Sequence, residues 1–285
     1  MKTSSPLRYP GGKAAMAGLL TSIRRLNQLG ALSLAEPFGG GAGASLTLLY
    51  QEEVPEIFVN DADPAIYNFW WAILHRAIAF QGALSRTRVS MAEWRRQRDV
   101  YRSVERMSRL RRGFATFYLN RCNRSGIIAN GGPIGGTEQK GKWPLGARYN
   151  KSALLERCRK LVEYRGRIRV SGLDGLEFLE TVDEATTMLF IDPPYYDKGR
   201  LLYLNALDEA YHKRLARKLK SNQDSPWVLT YDDCPEIRRL YRGWATVRPF
   251  RLSYSATKRR SGRELLITPK WMRLPGRQTS EAIVW

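Results

Sequence analysis

Residues 32–63 hold the most restrictive pattern in the chain. Residues 32–38 read as a buried strand, residues 39–43 as a glycine-rich turn and residues 44–51 as an apolar helix. A second strand is expected at residues 56–59, and a further helix from Pro64, because proline suits a first helical turn. A strand that feeds a helix and then another strand is the building unit of a helix-covered parallel sheet. The rhythm returns with strands at 188–191 and 227–231, helices at 208–220 and 235–241, and closing strands at 247–252 and 264–268. This alternation predicts an α/β fold with a mostly parallel sheet covered on both faces.

The middle of the chain breaks the rhythm. Ser90 and Glu93 form a capping-box pattern at the start of a helix. Met91, Trp94, Tyr101, Val104 and Met107 can share one face of it, and arginines supply most of the rest. A second helix is expected through residues 114–119, followed by a glycine-rich loop at 129–150 that carries Lys140, Lys142 and Arg148. We read a discontinuous α/β domain, residues 1–74 and 166–285, interrupted by a helical, basic insertion at residues 75–165.

The insertion shares in a marked charge imbalance. Lys and Arg number 47 against 27 Asp and Glu, a formal net charge of +20. A globular chain this cationic usually meets a polyanion, and nucleic acid is the first candidate. Other classes are disfavoured. The two histidines, His75 and His212, lie far apart, so neither a zinc hydrolase nor a zinc finger is expected, and no metal. The three cysteines form no C-x-x-C pair, which points to a reducing compartment. Residues 1–13 lack the apolar core of a signal peptide, and the apolar stretch at 66–80 is broken by Asn68, His75 and Arg76. The expectation is a soluble cytoplasmic protein that does not enter membranes.

Phe38, Gly39, Gly41 and their neighbours end a strand and open a helix, where glycine lets backbone approach a ligand closely. Asp61 follows the next strand and could accept hydrogen bonds from ribose hydroxyls. Together they indicate a ligand containing adenosine. S-adenosylmethionine fits, and so does a nicotinamide dinucleotide, because Gly39, Gly41 and Ala44 match the dinucleotide pattern. Near the start, Tyr9 and Lys13 bracket another glycine turn.

Asp192, Pro193, Pro194 and Tyr195 follow a buried strand, at the sheet edge where ligands bind. The prolines stiffen the segment and remove two donors. What remains is a carboxylate and carbonyls that only accept, beside an aromatic face. An exocyclic amino group on a nucleobase needs such acceptors, because its lone pair is delocalised and positive charge grows on nitrogen as it is methylated. Tyr195 can stack on the base, which must first leave the duplex.

In this order, Tyr9 to Lys13, the loop from Phe38 to Gly43, Asn60 with Asp61, and Asp192 to Tyr195 resemble the Dam-type, alpha-group DNA adenine-N6 methyltransferases. Residues 118–121, 125–126, 143–144, 146–149 and 264–267 extend the resemblance over nearly the whole chain. It implies a class I S-adenosylmethionine-dependent methyltransferase fold, with a seven-stranded, mostly parallel sheet and an inserted target-recognition domain. It implies Tyr9, Lys13, Phe38, Gly39, Gly41, Asp61 and Asp192 at the S-adenosylmethionine site, and Asp192 to Tyr195 at the target adenine. Arg121, Asn123, Arg124, Ser125, Lys140, Lys142, Arg148, Lys258, Arg259 and Arg260 are the expected contacts to double-stranded DNA. A homodimer and a cognate restriction enzyme remain open as partners. GATC-specific members of the family carry an arginine three residues after the glycine that matches Gly126; here Ala129 stands there, so a different recognition sequence is expected. RNA or protein-glutamine methylation, a dehydrogenase, and a non-enzymatic DNA-binding protein are the rival readings.

Overall fold

The computed structural model describes residues 4–8, 13–103, 107–196, 207–252, 263–276 and 283–284. The chain divides into two compact units: Met1–Gly12 with Asp61–Gly172, and Lys13–Asn60 with Leu173–Trp285. Their strands, in chain order, are β1 (Ser33–Glu36), β2 (Ile57–Asn60), β3 (Ile168–Ser171), β4 (Thr187–Ile191), β5 (Trp227–Asp232), β6 (Ala245–Leu252), β7 (Arg263–Pro269) and β8 (Ile283–Val284).

In the second unit seven strands are hydrogen-bonded in the order β2-β1-β4-β5-β7-β6-β8. The pairs β1–β2, β1–β4 and β4–β5 are parallel, and β5–β7, β6–β7 and β6–β8 are antiparallel. Five of the seven strands therefore point the same way, the mostly parallel sheet expected from the strand–helix alternation. Each expected strand is present within about two residues, the usual scatter of element ends. β4 and β5 are buried along their whole length, as central parallel strands covered on both faces must be.

One face of this sheet presents Ala35, Leu189, Ile191, Leu229, Tyr231, Leu265 and Ile267 to the helices Gly175–Thr181, Glu209–Ser221 and Pro235–Tyr241. Glu209–Ser221 begins where Asp208 accepts from Tyr211 N, and Lys218 and Lys220 sit in its last turn, where the helix dipole favours cations. Tyr211, Leu215 and Leu219, spaced by four, turn inward. Full burial of Leu215 or Leu219 contributes about 1.5–3 kcal/mol each.

The first unit is mainly helical: Pro64–His75, Ala77–Arg86, Met91–Arg102, Arg109–Cys122 and Lys151–Glu163, followed by β3. Asp63 caps the first by accepting from Ala65 N, and Ser90 caps the third by accepting from Glu93 N. Phe69, Phe80, Phe114 and Phe117 pack ring on ring at the centre. Gly113 lets Arg109–Cys122 lie directly on Pro64–His75; an added Cβ would stand 2.8 Å from Ala72 Cβ and closer still to the Asn68 carbonyl. The sequence predicted a helix whose face ran on through Met107. It ends instead at Arg102, and Arg109–Cys122 starts afresh with Ser108 as its N-cap, longer than the 114–119 segment expected.

Among the described residues no helix is long and apolar enough to cross a membrane, and no group of acidic, histidine or cysteine side chains could hold a metal. Cys122, Cys158 and Cys234 are buried and unbridged. Burial pushes the Cys122 and Cys158 thiols up to about 12, so neither is a nucleophile near neutral pH.

Candidate active site

The site in the second unit is built around the carboxyl end of β4. Asp192 follows the strand directly, Pro193 is buried, and Pro194 and Tyr195 are half-buried. Tyr196 N donates to Asp232 Oδ1 at 3.1 Å, tying the far end of the segment to the end of β5. Two prolines and an anchored end restrict the backbone of the segment.

Lys13 opens a short 3-10 turn and is itself buried. Its Nζ donates to Glu264 Oε2 at 2.7 Å and to Tyr195 Oη at 2.5 Å, and lies 3.4 Å from Asp192 Oδ1. Thr230 Oγ1 donates to the same Asp192 Oδ1 at 2.5 Å. One lysine therefore gathers residues from the amino end, from β4 and from β7. Asp192 keeps 23% exposure. Burial and then the nearby Glu264 charge raise its carboxyl to about 6, against the lowering effects of Lys13 and Thr230. It is ionised at neutral pH and available as an acceptor.

The glycine loop lies at the end of β1. Gly39 N donates to Asn60 O at 2.7 Å, and a Cβ on Gly39 would stand 2.5 Å from Val59 Cγ1, so only glycine lets the loop cross β2 this closely. Asn60, fully buried, donates to Pro37 O and Leu173 O and accepts from Leu173 N, all at 2.9 Å. Gly40 and Ala42 have left-handed backbone (φ 49° and 46°), and helix Gly43–Tyr50 begins with no side-chain cap at Ala42. Gly39 and Gly41 are buried and the Phe38 ring is half-buried.

Glu36, at the end of β1, accepts from Ser45 N at 3.1 Å and from Ser45 Oγ. Burial, with a smaller contribution from the Asp192 charge, raises its carboxyl to about 7. A carboxyl raised in the folded state stabilises the fold fully below its unfolded value, and that contribution is lost as pH rises through about 7. Glu36→Gln keeps the acceptor oxygen and removes the buried charge. Urea unfolding should show the variant gaining stability relative to wild type by roughly 3 kcal/mol between pH 4.5 and pH 8. A difference that stays constant across that range would contradict the buried-charge assignment.

Of the other expected cofactor contacts, Asp61 opens the Asp61–Gly172 segment of the first unit. Its Oδ1 accepts from Asp63 N at 2.9 Å. Tyr9 lies outside the described residues, as do Lys258, Arg259 and Arg260.

The expected DNA contacts in the first unit separate into two groups. Arg124, Ser125, Lys140, Lys142 and Arg148 are exposed. Arg121 and Asn123 are buried and have interior partners. Arg121 donates from Nε (2.7 Å) and Nη2 to Pro6 O, and Asn123 accepts from Trp94 Nε1 at 2.7 Å and donates to Ile127 O. These bonds pin residues 4–8 and the loop after Cys122, a scaffold role rather than a surface contact. Arg86, Arg88 and Arg96 line an open cleft of about 560 Å³ in the same unit. Sequence reading missed Thr230 and Glu36 as candidate site residues. A small polar side chain in the otherwise bulky, mainly apolar run of β5 was the available signal for Thr230.

A family model described as D12 class N6 adenine-specific DNA methyltransferase matches residues 9–259. Among solved structures the chain is similar to the rRNA methyltransferase aviRa from Streptomyces viridochromogenes. Identity is 15%, the match covers 91% of this chain and 86% of that one, and the TM-score is 0.35, too low for any conclusion to be drawn from it. No curated protein matched the chain significantly.

Proposed function

The chain belongs to the D12 class of N6 adenine-specific DNA methyltransferases, and we propose that it acts on duplex DNA, with S-adenosylmethionine as methyl donor and an adenine turned out of the stack as target. The observation that carries this reading is Asp192, ionised at neutral pH and held by Lys13 and Thr230, and followed by two prolines that carry no N–H donor. Its carboxylate and the Pro193 carbonyl accept from the adenine amino group and stabilise the positive charge growing on that nitrogen. Tyr195 offers its ring as a stacking surface, worth about 1–3 kcal/mol.

The residues suit S-adenosylmethionine. The uncapped helix start after Ala42, the buried glycine loop and the half-buried Phe38 ring match an adenosine joined to a charged amino-acid end. When bound, S-adenosylmethionine supplies the electrophilic methyl group. Phe38, Gly39 and Gly41 line its place, and Lys13 supports its amino-acid end. Asp61, directly after Asn60 in the chain, accepts from the ribose hydroxyls, and Tyr9 completes the set by family resemblance. The expected dinucleotide rival loses its support, because the family match accounts for the same glycine loop.

We assign target reading to the insertion, residues 75–165. Arg124, Ser125, Lys140, Lys142 and Arg148 offer exposed donors, and Trp143, 60% exposed beside Lys142, offers an aromatic face. Ala129 brings no donor to a guanine edge, in keeping with a recognition sequence other than GATC. The cytoplasm, where the chromosome is accessible, is the proposed location.

Duplex binding is testable through salt. Phosphate contacts release counterions, so six of them lower affinity roughly a thousandfold between about 50 and 200 mM salt. Fluorescence anisotropy with a labelled duplex should show that steep fall. A flat response would mean that the +20 charge serves another partner.

A further inference from the structure

Thr230 is fully buried in β5, in a run of Trp, Val, Leu and Tyr. A hydroxyl in such a strand costs free energy unless it is hydrogen-bonded, and valine would fill the same space without that demand. The β4–β5 register supplies the partner. Ile191 stands beside Leu229, so the next residues, Asp192 and Thr230, come level where β4 ends. Thr230 Oγ1 donates to Asp192 Oδ1 at 2.5 Å, and Lys13 Nζ approaches that same oxygen at 3.4 Å. Among the described residues Oδ2 takes no hydrogen bond.

We propose that Thr230 is a positioning residue for methyl transfer: it fixes Asp192 Oδ1 and so presents Oδ2 to the amino group of the target base. This rests on the function proposed above. A carboxylate rotates easily about its last torsion, which is broad and two-fold. A donor on one oxygen halves that freedom and sets the carboxyl plane before substrate arrives. Thr230 acts through Asp192 and needs no contact with DNA. The hydroxyl also favours the ionised carboxylate, in concert with Lys13 and against burial and the charge of Glu264.

The test compares Thr230→Val and Thr230→Ser in the full-length protein, using a duplex that contains a mapped target adenine. Thr230→Val should lower kcat about tenfold with KM for DNA changed less than about twofold, a hydrogen-bond-sized loss confined to turnover. The acid limb of its kcat profile should move to higher pH, and Thr230→Ser should restore both. Thermal unfolding checks that each variant is folded; should Thr230→Val not fold, Thr230→Ala against Thr230→Ser makes the same comparison. Wild-type kcat and an unmoved acid limb in the folded valine variant would overturn the proposal. So would a serine variant as impaired as valine, which would indicate packing alone. A wild-type protein that methylates no adenine would instead defeat the preceding function, and that failure appears before any variant is compared.

Discussion

Asp192→Ala is expected to slow methyl transfer by about 10²–10³-fold, the scale on which removal of one preorganised charge-stabilising group acts. Duplex affinity should change little, because it resides mainly in Lys and Arg contacts to phosphate, remote in character from a single acceptor. The wild-type enzyme should show the same dependence through pH. Asp192 is raised to about 6, chiefly by burial. Protonation as pH falls through that value removes the acceptor, so kcat should decline below about 6 and level off above it. Rapid-quench turnover with anisotropy on the same duplex separates the two effects. Near-normal turnover by folded Asp192→Ala would remove Asp192 from the mechanism.

Lys13→Met is expected to cost about 3–5 kcal/mol of stability, the range for removing one partner of a buried ion pair. The lysine is 7% exposed and Glu264 3%, so water screens little of the interaction. Asp192 would then lose the cation that lowers its carboxyl, and would hold its proton to higher pH. The acid limb of turnover should therefore shift upward together with the loss in stability. Urea unfolding at pH 7.5, with a pH–rate profile of the folded fraction, measures both. Unchanged stability with an unmoved acid limb would mean that Lys13 does not neutralise the site.

What could be read from the sequence depended on how local each signal was. The strand, glycine turn and helix that begin at β1 were legible because alternation, turn chemistry and apolar run length are all short-range. Asp192 to Tyr195 was legible because four contiguous residues carry its chemistry. The Lys13–Glu264 bond joins residues 251 apart in the chain. Lys13 was expected at the cofactor and Glu264 only as part of a closing strand; their pairing needs the sheet order to bring them together. Arg121 and Asn123 were expected at the DNA because they lie in the insertion that resembles the family's target-recognition region. Their burial follows from residues 4–8 returning to helix Arg109–Cys122, where Asn120 exchanges hydrogen bonds with Arg8. The break after Arg102 was hidden because apolar periodicity continued to Met107, across the Ser108 cap that starts the next helix.

The central claim, adenine-N6 methylation of duplex DNA by an S-adenosylmethionine-dependent site at Asp192, is tested most directly by product analysis. The purified full-length chain is incubated with methyl-labelled S-adenosylmethionine and unmethylated duplex DNA, the label is identified by nucleoside chromatography, and its sites are mapped at base resolution. The account predicts label in N6-methyladenine, in one recurring sequence context other than GATC, incorporated about 10²–10³-fold more slowly by Asp192→Ala. Label in cytosine or in the protein, or no transfer by a folded enzyme, would contradict it.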